Sequence, residues 1–248
     1  MLPPSQVGPV LLLWVGLVLV FRNIMARRAL ESAGNEAVGE SLTNRVNQAV
    51  EHVTSKFRSQ PQIVCNAITC SVPSNLIAPT VMLSRNARTP AIAESMSPPT
   101  LVLPIQVVED LDDSELEGVV THEIAHIVLN GSQQGCSSGW ARFVRWASPL
   151  NVLFTRFMRR EEELACDEVA SRITGNPEAV GSALLKTHRI SRVEQSRAFA
   201  PLAGLTIQRY FLSQRVTALL ELVQAPAGLT RGRLPQCGSL FFFVVIVL

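Results

Sequence analysis

The stretch Leu111–Gly131, LDDSELEGVVTHEIAHIVLNG, decides how the rest of the chain is read. Asp112, Asp113 and Ser114 offer side-chain oxygens at the start of a helix, and Ser114 with Glu117 has the spacing of a capping box. Leu116, Val120, Ile124 and Ile127 recur at three- and four-residue steps along one face, and Asn130-Gly131 supplies a C-terminal stop. On that helix His122 and His126 lie four residues apart, so both imidazoles can aim a nitrogen at one point. Zinc accepts imidazole nitrogen at about 2.0–2.1 Å, which this geometry can satisfy. Glu123 projects to the side where an open coordination position holds water, and a carboxylate there can take the proton from that water. H-E-x-x-H therefore carries a metal and a base on one rigid turn. With only 4 histidines among 248 residues, the pattern is rare by chance.

A catalytic zinc site needs a third protein ligand and an open fourth position. No histidine follows closely enough to complete H-E-x-x-H-x-x-G-x-x-H. The later segment EEELACDE, Glu161–Glu168, offers several carboxylates instead. Glu163 and Asp167 are four apart and share a face, so one could bind metal while the other orients a ligand histidine through its second ring nitrogen. Glu161 and Glu162 follow Arg159-Arg160 and read as a solvated face, whereas Leu164, Ala165, Cys166 and Val169 mark a buried side. Spacing alone does not choose among the glutamates.

Outward from this segment the texture is mixed. Val38, Leu42, Val46, Ala49, Val50, Val53 and Phe57 give helical periodicity between Glu31 and Phe57. From Gln62 to Leu103, β-branched clusters alternate with turn residues, which predicts short strands. Pro73, Pro79, Pro90, Pro98, Pro99 and Pro104 keep any sheet there small, with exposed edges. A second long helix is expected from Ser148-Pro149 to just before Gly175-Asn176, and a third from Asn176-Pro177-Glu178 to about Ile190. The expected fold class is α+β, mainly helical. His52 and His188 read as surface residues, and Cys166 as a small packing residue.

The chain ends are different in kind. Leu2–Phe21 contains no charge and is long enough for a bilayer, and Arg22, Arg27 and Arg28 follow it. That order predicts an uncleaved N-terminal transmembrane helix with the remainder facing the cytoplasm. The expected organisation is a membrane anchor over 1–28, a zinc metallopeptidase domain over 29–233 and a hydrophobic tail over 234–248. The tail ends in SLFFFVVIVL and reads as a truncated second span, an interfacial tail or a strand. The apolar stretch from Trp140 to Phe157, broken by arginines, reads as either a membrane-surface or a core segment. An apolar content of 47% with a net charge of +2 excludes whole-chain disorder and gives no footprint for nucleic acid. Five cysteines without a C-x-x-C pair are too sparse for a disulfide scaffold and suit a reducing compartment. A bridge between Cys65 and Cys70 is not expected there.

The segments LVLPIQVVEDLDDSELEGVVTHEIAHIVLNG and SPLNVLFTRFMRREEELACDEVA together resemble the membrane metallopeptidases of the BlaR/MecR type, the penicillin-sensing signal transducers. They are similar also to HtpX-type heat-shock endopeptidases and CAAX prenyl-protein proteases. The resemblance runs from about Pro79 to Val223 and rests on HExxH together with ELACDE. It implies a zincin fold with a glutamate as third ligand and a small sheet beside the active-site helix. It makes His122, His126 and Glu163 the ligands of one Zn²⁺, Glu123 the general base, and Asp167 the residue that orients a ligand. It further implies that an edge strand near Thr100–Leu103 pairs with an extended peptide. Tyr210, Arg215 and His188 are the candidates for stabilising the oxyanion. The function expected is a membrane-anchored zinc endopeptidase acting on a protein or peptide substrate and resting in the lipid bilayer. One alternative is a signalling protease that cleaves a repressor partner. Another is an inert zinc-binding membrane scaffold, whose signature would be the loss of Glu123. The transducers carry several N-terminal spans and an extracellular penicillin-binding domain, so β-lactam sensing is not carried over.

Overall fold

A computed structural model describes residues 39–65, 69–87, 89–93, 98–134, 151–196 and 202–224. The expected anchor over 1–28, the tail over 234–248 and the Trp140–Phe157 stretch lie outside the described residues or side chains. Among the described residues, no helix is long and apolar enough to cross a membrane.

The chain enters through helix α1, Glu40–Ser59, which turns Val46, Val50, Val53 and Phe57 inward at the expected spacing. Strands β1, Gln62–Val64, and β2, Thr69–Ser71, form an antiparallel pair. Three further strands follow: β3, Thr80–Ser84, β4, Ala91–Ala93, and β5, Thr100–Pro104. Their order is β3-β5-β4, with β5 parallel to β3 and antiparallel to β4. The segment expected to be an edge strand is thus the central one. All five of its residues are buried, as a continuous apolar run such as Leu101-Val102-Leu103 requires when both faces are covered.

β5 leads directly into the short helix α2, Ile105–Asp110, and then into α3, Asp113–Gln134. The cap of α3 lies two residues earlier than the Ser114–Glu117 spacing suggests. Asp112 Oδ1 accepts the Glu115 amide at 2.8 Å, and Glu115 Oε2 accepts the Asp112 amide at 2.9 Å. This reciprocal pair is the capping box, and Ser114 merely donates to Asp112 Oδ1. Glu117 pairs instead with Lys56 of α1 at 2.5 Å. The far end of α3 runs through Asn130-Gly131 to Gln134. Gly131 is carried inside the helix at a cost of about 1 kcal/mol, and the turn before it is anchored by buried Val128 and Leu129.

Helices α4, Asn151–Thr174, α5, Pro177–Ser196, and α6, Leu202–Gln224, complete the described elements. The α4–α5 junction follows the expected signals. Gly175 adopts φ 67°, a left-handed conformation that favours glycine, and Asn176 Oδ1 accepts the Ala179 amide at 3.0 Å. α5 extends beyond Ile190 to Ser196. α3 lies at the centre, packed against α1, α4, α5, β2 and β4. Leu116, Val119, Val120, Ile124, Ala125, Val128 and Leu129 are buried around more than one face of it. Mainly helical with two small sheets, the fold is of the α+β kind.

Candidate metal centre

Beside this apolar core lies a largely buried polar cluster. α3 contributes Glu123, only 8% exposed, between the two histidines, and α4 lays its acidic run across the same face. His122 Nε2 lies 3.5 Å from Glu163 Oε2, and His126 Nε2 lies 3.7 Å from Glu163 Oε1. The rings of His122 and His126 stand edge to face with centroids 5.1 Å apart. One ligand atom from each of His122, His126 and Glu163 falls within 4.8 Å of the others. Tetrahedral bonds of about 2.0–2.2 Å space their donors roughly 3.3–3.6 Å apart, so the set fits a small divalent cation. Two imidazoles and one carboxylate are also the donor chemistry zinc accepts with one position left open.

Spacing left the choice among the glutamates open and the resemblance pointed to Glu163, which is the one brought between both histidines. Asp167, one turn further along α4, sits 2.9 Å from His122 Nδ1 and is 3% exposed. The approach is close in distance without an aligned hydrogen bond at that nitrogen. Glu162 departs from its expected solvated position, because its Oε1 lies 3.3 Å from His126 Nδ1. Each histidine thus faces Glu163 with one nitrogen and a separate carboxylate with the other. Glu162 was indistinct in the sequence because nothing in an EEE run says which acid a second helix will meet.

Arg215 on α6 completes the cluster. Its Nε and one terminal nitrogen donate to the two Asp167 oxygens at 2.6 and 2.7 Å, and the other terminal nitrogen lies 2.8 Å from Glu163 Oε2. All three guanidinium nitrogens are engaged by carboxylates, a structural use of Arg215. Phe211, four residues earlier, lies beneath the guanidinium at 5.8 Å. Of the other oxyanion candidates, His188 is half-buried on α5, and the Tyr210 side chain lies outside the described ones. His52 is exposed, and Cys65, Cys70 and Cys166 are buried free thiols.

The electrostatics follow from this arrangement. Burial pushes the Asp167 carboxyl up, but Arg215 and His122 outweigh it and hold the group down to about 2. Burial also works against ionised Glu163, and His122 and Arg215 again reverse the balance and lower it. Burial raises the Glu123 carboxyl, with His122 and His126 opposing. Two carboxylates one turn apart are therefore held ionised, while the neighbouring Glu123 is moved toward holding a proton.

A family model described as BlaR1 peptidase M56 matches residues 3–219. A curated relative, the "Protease HtpX homolog" of Nostoc punctiforme (strain ATCC 29133 / PCC 73102), is 29% identical over 162 residues. That alignment covers 46% of this chain and 56% of the relative, so the chain spans little more than half of the relative's length. No solved structure matches significantly. With the family model extending over most of its length, the chain belongs to the BlaR1 peptidase M56 family.

Proposed function

We propose that the protein is a membrane-anchored, zinc-dependent endopeptidase that hydrolyses peptide bonds in a protein substrate. The observation that carries this reading is the convergence of His122, His126 and Glu163 beside a buried Glu123. The family match and the protease-named relative support it. His122, His126 and Glu163 would hold one Zn²⁺. When bound, zinc supplies Lewis acidity toward the scissile carbonyl and acidifies water at its open position.

The chain's own residues do the rest. Glu123 accepts the proton of the attacking water and later delivers it to the leaving amine. A carboxyl raised by burial suits both halves of that transfer, since it holds a proton more readily than an exposed glutamate. Asp167 and Glu162 fix the rings of His122 and His126 through their Nδ1 atoms. The expected peptide-binding strand shifts from β5 to β4, the outer strand antiparallel to β5 that also packs against α3. An extended substrate laid along it would be held by main-chain hydrogen bonds with little demand on sequence. The uncharged run Leu2–Phe21 followed by arginines supports an anchor with the catalytic domain facing the cytoplasm.

Purified protein should contain one zinc and cut an unfolded protein substrate, and Glu123→Gln should keep the metal while losing cleavage. Equal cleavage by wild type and variant, or a wild type that binds no zinc, would refute the proposal. A narrower reading, a signalling protease that cuts one repressor partner, draws its support from the family match. Degradation of many unfolded proteins at comparable rates would count against that narrower role.

A further inference from the structure

Arg215 reaches the metal-site cluster from a third helix, 48 residues beyond Asp167. α3 supplies the histidines and α4 the acids, and neither supplies the cation that fixes those acids. The Arg215 side chain is 12% exposed and bridges Asp167 through two hydrogen bonds and Glu163 through one contact. Pinning Glu163 Oε2 restricts the rotation of that carboxylate, whose Oε1 faces His126 Nε2. Holding both Asp167 oxygens fixes the carboxylate that faces His122 Nδ1. Without the guanidinium, the buried Asp167 and half-buried Glu163 carboxylates, one turn apart, would repel each other and turn away from the histidines.

We propose that Arg215 is a positioning residue that presets Glu163 directly, and His122 through Asp167, so that the site's affinity for a divalent metal depends on α6 being seated. This rests on reading His122, His126 and Glu163 as the metal ligands. The seat itself lies one turn further along α6, where Leu219 packs with Ala170 of α4 and Val180 of α5. Arg215 is thereby the point at which the packing of a helix bearing no ligand reaches the metal. A planar fork that donates to two carboxylates at once cannot be reproduced by the single ammonium of lysine, so charge alone does not restore the arrangement.

The test is zinc affinity of the full chain, measured by competition with a chromophoric chelator, together with the absorption spectrum of the Co²⁺-substituted protein. Arg215→Ala should weaken zinc binding about 10- to 100-fold, the usual effect of losing a residue that orients a ligand. Its cobalt bands should shift, reporting an altered ligand field that a purely structural role would leave unchanged. Arg215→Lys keeps the charge and should bind zinc with an affinity between the two. Wild-type helical circular dichroism identifies the variants that remain folded, and if Arg215→Ala does not, Arg215→Lys decides by the same two readouts. A folded variant with wild-type zinc affinity and an unshifted cobalt spectrum would overturn the role of Arg215. A wild type that binds neither zinc nor cobalt would instead overturn the metal-site reading on which it rests.

Discussion

Glu123 and Glu162 are both glutamates beside a histidine, yet their surroundings give them different work. Glu123 is 8% exposed and has its carboxyl raised by burial. Replacing it with glutamine keeps the shape and removes the proton acceptor. Cleavage should fall by about 10²–10⁴-fold, the usual contribution of a general base, with bound zinc unchanged by metal analysis. Glu162 is partly exposed and lies 3.3 Å from His126, whereas nearly buried Asp167 lies 2.9 Å from His122. A water can replace the Glu162 carboxylate more readily than the Asp167 one. Asp167→Asn should therefore weaken zinc binding more than Glu162→Gln does, and chelator competition on the two variants checks the order.

At the scale of elements, the site depends on how α3 is set among its neighbours. Glu115 joins the start of α3 to α5. It accepts from Ser182 Oγ and Lys186 Nζ at 2.6 Å each, while capping its own helix. Burial raises its carboxyl, but Lys186, Ser182 and the Asp112 amide outweigh that and hold it below its ordinary 4.5. A carboxyl depressed in the folded state contributes stability above its unfolded value and loses it as pH falls through the folded one. Wild type should accordingly lose more stability than Glu115→Gln as pH drops below 4.5, measured by urea unfolding across that range. At neutral pH the same substitution should cost about 1–3 kcal/mol, because donors at a buried acceptor lose part of their bonding. Three residues on, a Cβ at Gly118 would come within 3.3 Å of the Val180 backbone on α5. Gly118→Ala gains helix propensity of about 1 kcal/mol against that crowding and should be near neutral. Gly118→Leu should destabilise by about 1–3 kcal/mol, read from the same unfolding curves.

For the molecule as a whole, a metal held by α3 and α4 would tie together helices whose donors lie some forty residues apart in sequence. A ligand that binds only the folded chain raises its stability by mass action, about 2.7 kcal/mol when free metal is one hundred times its dissociation constant. Chelation should lower the thermal unfolding temperature of wild type. Glu163→Ala, lacking one donor, should respond far less to either chelator or added zinc. Equal responses of the two proteins would separate Glu163 from the metal.

The sequence by itself determined the local elements and the two ligands carried on one turn. The periodicity of α1, the glycine stop of α4 and the asparagine cap of α5 depend on neighbours within a few residues, and so does the placement of His122, Glu123 and His126. It also narrowed the third donor to one acidic run. Only the tertiary structure decided that Glu163 faces both histidines, that Glu162 belongs to the cluster, that β5 is central and β4 outer, and that Arg215 binds carboxylates. Those facts depend on the angle and register at which separate elements pack. Such relations arise from burial and charge pairing over tens of residues, where a short-range pattern carries no record of which helix arrives opposite which.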